Sequence, residues 1–207
     1  MKTITLRYIE DFLTSELKGA LRHIAIRRGE LCIEVSPKDF LQTLILLRDH
    51  PDLAFRQLVD ICGVDYPDRA PRFEVVYHLL SHRYNNRIRL KAGVGEGELM
   101  PTASHLFKAA NWYEREIWDL YGVGFEGHPD LRRLLTDYGF EGHPLRKDFP
   151  LTGFSEVRYD FEKEKVAYAP VNLPQDFRQF DFESPWKAMT PEQVILPGDE
   201  KATRDIL

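Results

Sequence analysis

The sequence predicts an α+β fold: a mixed, largely antiparallel β-sheet packed with helices, followed by an extended C-terminal arm. Three observations carry this expectation. Short runs with a period of two recur through the N-terminal half. Helical periods lie between them. After Pro144 neither period holds for long. The expected division is an α+β domain over residues 1–122, a signature segment with a short helix over 123–150, and a partner-wrapping arm over 151–207.

The elements follow in chain order. Tyr8 to Lys18 carries Ile9, Phe12, Leu13 and Leu17 on one helical face, with Gly19 as a stop. Ile24 and Ile26 alternate with polar or small neighbours, Gly29-Glu30 turns the chain, and Leu31, Ile33 and Val35 alternate on the way back, which is a hairpin. Ser36-Pro37-Lys38-Asp39 opens a second helix with the stripe Phe40, Leu44, Leu47, and Pro51 ends it. Phe55 to Cys62 reads equally as helix or strand. Phe73 to Leu79 is rich in β-branched and aromatic residues and predicts a strand; Asn85-Asn86 suits a turn, and Ile88, Leu90 and Ala92 form the returning strand. Gly93, Gly95 and Gly97 make a loop without a GxGxxG or phosphate-loop pattern. Asn111 with Glu114 resembles a capping box opening a helix that ends at Gly122. On that helix Tyr113, Ile117, Leu120 and Tyr121 share one arc, and Arg115, Glu116 and Asp119 share another, where Arg115 and Asp119 stand as i,i+4 neighbours. Pro129 starts another short helix, with Leu131, Leu134, Leu135 and Tyr138 facing inward and Gly139 at its end.

Composition narrows the class. The chain has 207 residues, 28 of them basic and 33 acidic, for a net charge of −5. That balance argues against a nucleic-acid binder. The two cysteines, Cys32 and Cys62, sit in apolar runs and read as buried small hydrophobes, consistent with a reducing compartment. The N-terminus lacks the apolar stretch of a signal peptide, and the longest apolar run, Leu44 to Leu47, is too short to span a bilayer. Membrane association is expected only through a partner.

The densest chemistry lies between Tyr113 and Pro150, where Phe125-Glu126-Gly127-His128-Pro129 returns as Phe140-Glu141-Gly142-His143-Pro144. His128 and His143 could be a metal pair, yet no third and fourth ligands accompany them, so hydrogen-bonded turn histidines are the favoured reading. Glu114, Glu116 and Asp119 could do acid–base work. Arg115 beside them would keep the acids ionised, which favours a salt-bridged interface face. Arg132-Arg133 and Arg146-Lys147 could grip phosphate, but Asp130, Asp137 and Asp148 lie beside them and favour pairing. No GxSxG motif occurs.

Past Pro144 aromatics come singly, among them Phe149, Phe154, Tyr159, Phe161, Tyr168, Phe177, Phe180 and Trp186, separated by charges and prolines. One hairpin is expected, Val157 to Phe161 paired with Val166 to Tyr168 across Glu162 to Lys165. A segment with anchors but no core of its own suits burial in another protein's surface.

The run Glu114-Arg115-Glu116-Ile117-Trp118-Asp119-Leu120-Tyr121, with His128, Arg132 and Leu134-Leu135 at their spacing, resembles the signature of the 30-kilodalton (C) subunit of respiratory complex I. The likeness extends over Asp60 to Tyr66, Arg72 to Tyr77, Thr136 to Pro150 and the tail from Tyr159 to Trp186. The resemblance implies a non-catalytic subunit of proton-pumping NADH:ubiquinone oxidoreductase, in the peripheral arm on the cytoplasmic side of a bacterial inner membrane, or the matrix side in mitochondria. It implies no cofactor in this chain, with FMN, iron–sulfur clusters and quinone held by partner subunits. It implies docking chiefly onto the 49-kilodalton-type (D) subunit, with subunits B and I as neighbours. The interface residues it points to are Glu114, Arg115, Glu116, Asp119, His128, Pro129, Arg132, Arg133, Asp137, His143, Arg146, Lys147, Asp148 and Phe149, then Tyr159, Phe177, Phe180 and Trp186. The equivalent scaffold of a membrane-bound hydrogenase is the alternative from the same lineage, and a stand-alone hydrolase using His128 and His143 a third.

Overall fold

The computed structural model describes residues 4–175. They fall into two compact units, one ending at Phe154 and one beginning at Ser155.

In the first unit, α1 (Leu6–Glu16) starts where the Thr5 hydroxyl accepts the Tyr8 N–H at 3.3 Å, and it buries Ile9 and Leu13. Strands β1 (Leu21–Arg27) and β2 (Glu30–Val35) form the expected hairpin. Its two-residue loop is Arg28-Gly29, one position earlier than expected. Both residues have positive φ, 53° and 79°, matching the primed turns that suit strand twist. Helix α2 (Phe40–Asp49) buries the expected stripe of Phe40, Leu44 and Leu47. The ambiguous run after it is a strand, β3 (Gln57–Asp65), which edges the sheet beside β4 (Phe73–Ser81); β5 (Asn86–Val94) returns after Asn85, whose φ is 52°. Short strands β6 (Leu99–Pro101) and β7 (Gly124–Glu126) pair in parallel and flank helix α3 (Ala110–Tyr121).

The main sheet has the order β1-β2-β5-β4-β3, with β2 and β5 parallel and every other pair antiparallel. This is the mixed, largely antiparallel sheet that the sequence predicts. Alternate residues of each strand face opposite ways. One face therefore presents Leu31, Ile33, Val35, Val75, Tyr77, Leu79, Ile88, Leu90 and Ala92, all buried, and these join Ile9, Leu13, Phe40, Leu44, Leu47 and Ile117 in a single cluster. Each such large aliphatic side chain contributes about 1.5–3 kcal/mol through burial. The opposite face is polar, laddered by Lys91–Glu74 at 2.7 Å and Arg89–Glu30 at 2.8 Å. Cys32 and Cys62 lie on that polar face, free and half-buried rather than buried in a core. Burial pushes the Cys62 thiol up to about 11, helped by its hydrogen bond to Asp60.

In the second unit β8 (Ser155–Asp160) pairs antiparallel with β9 (Lys165–Pro170), close to the expected hairpin. The Asp160 carboxylate accepts the N–H groups of Glu162 and Lys163 and shapes the turn. Phe177, Phe180 and Trp186 lie outside the described residues.

Candidate functional site

Helix α3 is the hub of the first unit. The charged arc read from its period as an interface face is buried within the unit at Arg115 and Asp119. Segment 131–143 lies over that side of the helix. The expected Arg115–Asp119 pair is not made. Arg115 donates from Nε and Nη2 to the carbonyls of Arg132 and Arg133, both at 3.2 Å. Asp119 receives five donors: Arg133 Nη1 at 2.8 Å, the N–H groups of Leu134, Leu135 and Thr136 at 2.9, 2.7 and 2.9 Å, and the Thr136 hydroxyl at 2.5 Å.

This capture explains why the short helix expected after Pro129 does not form. Three consecutive N–H groups are bound by one carboxylate, which competes with a helical hydrogen-bond ladder. Leu135 and Tyr138, expected to face inward, point outward, and Tyr138 is 94% exposed. Burial alone would raise the Asp119 carboxyl. The Thr136 hydroxyl and N–H, with Arg133, outweigh it and hold the group well below the usual carboxylate range.

Glu114, five residues back on the same helix, has the opposite balance. Helix α3 begins at Ala110 with Ala109 as its cap, and Glu114 forms no capping box with Asn111. Its fully buried carboxylate accepts the Ala103 N–H at 2.7 Å, the Tyr77 hydroxyl at 3.3 Å and the Thr102 hydroxyl. It thereby ties α3 to β4 and to the chain leaving β6. Burial raises its carboxyl above the usual value, and these hydrogen bonds only partly offset the shift.

The two repeat histidines serve α3 separately. His128 Nε2 lies 3.0 Å from the Asn111 carbonyl, while Nδ1 accepts the Asp130 N–H at 3.1 Å, a network that puts the proton on Nε2. His143 Nδ1 donates to the Asp119 carbonyl at 2.9 Å. Their anchor points are eight residues apart on the helix, about 12 Å at 1.5 Å per residue. Among the described residues no three His, Cys, Asp or Glu side chains gather as metal ligands.

A second clamp closes the C-terminal end of α3. Gly122 has φ 78°, and a Cβ there would collide with the side chains of Arg146 and His143, so only glycine fits. Arg146 donates to the Tyr121 carbonyl at 2.6 Å and to Glu96 at 2.8 Å. The Lys147 N–H reaches Asp65 at 2.7 Å, and Arg72 bridges Asp65 at 2.8 Å and Asp148 at 3.0 Å. Phe149 packs between Phe140 and Phe154, with centroids 6.0 and 5.6 Å away. Glu116 is half-buried, while Pro129, Arg132 and Asp137 are exposed. Sequence reasoning missed Thr136, Tyr77, Thr102, Asp65, Arg72 and Glu96 as partners. Only Asp65 and Arg72 carried a signal, as polar residues at strand ends beside apolar runs.

Charge is thus directed inward while apolar surface is left outside. In the hairpin Val157 opposes Tyr168 and Tyr159 opposes Val166, all exposed, and Phe161 is 85% exposed. Tyr159 and Phe161 stack edge-on at 5.1 Å. The first unit is thus braced by its own charges, while the second exposes Tyr159 and Phe161.

Comparison with known proteins gives the family. Residues 33–155 match the family described as respiratory-chain NADH dehydrogenase, 30 Kd subunit. The chain is 57% identical over 200 residues to the NADH-quinone oxidoreductase C subunit of Methylobacterium sp. (strain 4-46), covering 97% of this chain and 92% of that protein. With the C subunit of Methylobacterium radiotolerans it shares 61% over 179 residues, covering 86% and 82%. With that of Azorhizobium caulinodans it shares 55% over 199 residues, covering 96% and 93%. Among solved structures it resembles a chain of the membrane-bound sulfane sulfur reductase, an archaeal respiratory membrane complex, with a TM-score of 0.59 and 25% identity over 70% of this chain and 85% of that one. The chain belongs to the 30 Kd subunit family of the respiratory-chain NADH dehydrogenase.

Proposed function

We propose that this chain is a non-catalytic scaffold subunit of the peripheral arm of proton-pumping NADH:ubiquinone oxidoreductase. In this reading it docks onto the 49-kilodalton-type, quinone-site subunit on the cytoplasmic side of the membrane, with subunits B and I as neighbours. The observation that carries this proposal is the exposure of Val157, Tyr159, Phe161 and Val166 on the hairpin Ser155–Pro170. A two-stranded hairpin is marginal in water and gains stability by laying an apolar face on another surface. The commitment of Asp119, Arg133, Arg146 and Arg115 to backbone groups of their own unit supports a bracing role for the signature. Electrons pass from NADH to quinone through FMN and iron–sulfur clusters of the partners, and this chain holds those partners in register. The likeness to a chain of a sulfane sulfur reductase complex, whose name states a different reaction, also favours a scaffold over a reaction centre. Among the described residues no helix is long and apolar enough to cross a membrane, which fits attachment through the complex.

The test is capture of the intact tagged chain under native conditions with identification of bound subunits, repeated with a chain cut after Phe154. The full chain retains the 49-kilodalton-type subunit and the shortened chain loses it. NADH oxidation by the purified chain alone would contradict the scaffold role. A nickel-bearing large subunit in the capture would assign the chain to a hydrogenase complex instead.

A further inference from the structure

An open groove of about 710 Å³ lies in the first unit between α3 and the loop that Asp119 organises. Its walls carry the aromatic residues Trp112, Trp118, Tyr138 and Phe140, and its charged lining is Arg115, Arg132 and Arg133 against the single carboxylate of Asp137. Trp112 is 67% exposed. Beneath, the Arg133 guanidinium lies 5.8 Å from the Trp118 ring and 5.5 Å from the Phe140 ring, and its charge is matched by Asp119 at 2.8 Å. Arg132 pairs with Asp130 at 2.9 Å, but both side chains are solvent-exposed, so the pair is weak and readily exchanged. Arg115 is different. It is 5% exposed and donates only to neutral carbonyls, and among the described residues it has no carboxylate within 4.0 Å. Its charge is felt by the Asp130 carboxylate only from beyond ion-pair distance, and a buried cation so weakly compensated is costly. Here it lines an open groove.

We infer that this groove receives an acidic segment of a partner subunit, whose carboxylate lies against Arg115 and Arg132 and whose neighbouring side chains pack on Trp112 and Tyr138. The inference rests on the scaffold assignment and adds a second docking surface, in the first unit, to the hairpin of the second. Charge complementarity selects the occupant, and the aromatic walls call for apolar or planar side chains beside the carboxylate. A free phosphate would satisfy the guanidinium groups but leave those walls in water.

The experiment places the photoreactive residue p-benzoylphenylalanine at position 138, and separately at position 112, in the full chain assembled into its complex. After irradiation the linked peptide is identified by mass spectrometry. A link to another polypeptide, beside an Asp or Glu, is expected from both positions. Arg132→Glu in the same labelled chain lowers the link yield about tenfold, while Arg132→Lys keeps most of it and neither moves the melting temperature of the isolated chain. Links to this chain itself, to a second copy, or to a segment without a carboxylate overturn the inference, as does a yield indifferent to Arg132→Glu. Capture of partner subunits with no link from either position overturns the groove alone. Failure to capture any partner subunit overturns the scaffold assignment as well.

Discussion

Segment 131–149 and the hairpin Ser155–Pro170 both lack a helix, yet they are held by opposite means. The first is fastened by charge. Asp119, Arg115, Arg133, His143 and Arg146 bind backbone groups of the same unit, and the segment follows α3 without regular structure of its own. The second has backbone pairing but leaves its aromatic face exposed. Buried charges with many short hydrogen bonds define one shape. An open aromatic face defines none until something covers it. The contrast shows that the buried charges Arg115 and Asp119 belong to internal architecture, whereas Tyr159 and Phe161 of the hairpin are exposed.

The sharpest way to break the comparison is at Asp119. Asp119→Ala removes five hydrogen-bond acceptor contacts and leaves Arg133 without its carboxylate, so denaturant unfolding of the isolated chain should show a loss of about 3–5 kcal/mol. A loss below about 1 kcal/mol would mean that the segment holds its shape without this residue.

Two arginines separate internal from outward charge. Arg146→Ala frees the Tyr121 carbonyl and Glu96 and should cost about 1–3 kcal/mol in the isolated chain. Arg132→Ala, on an exposed side chain, should stay within about 0.5 kcal/mol while impairing assembly. Equal losses in the isolated chain would erase the distinction.

The smallest effect is in pH. The folded Asp119 carboxyl lies below its unfolded value near 3.9, so in that interval the unfolded chain binds more protons and stability rises with pH. Its contribution is complete above about pH 4 and is lost as pH falls toward the folded value. Glu114 has the reverse sign: its folded carboxyl lies above the unfolded value near 4.3, so stability falls as pH rises through that window. Unfolding titrations should show Asp119→Asn flattening the acid limb and Glu114→Gln removing the opposing slope.

Much of the sheet was legible because its strands alternate cleanly. Leu31, Ile33 and Val35, or Ile88, Leu90 and Ala92, can bury only one face. Gln57–Asp65 was not legible as a strand, since a short apolar run carries no period of its own. The site was harder. Helical period placed Arg115 and Asp119 together on one arc, but not the later segment that covers that arc. Pro129, Leu131, Leu134 and Leu135 looked helical because their spacing is. What overrides them is a carboxylate on another element, which no local window contains. Glu114 read as a capping residue for the same reason: its partners, Tyr77, Thr102 and Ala103, come from elsewhere in the chain. The exposure of the hairpin aromatics Tyr159 and Phe161 was legible because they lack a period that could bury them locally.

Amide hydrogen exchange of Ser155–Pro170, measured in the isolated full chain and in the assembled complex, tests the central claim most directly. Fast exchange in the isolated chain with strong protection in the complex is the predicted result. Strong protection already present in the isolated chain would contradict it, because the aromatic face would then need no partner.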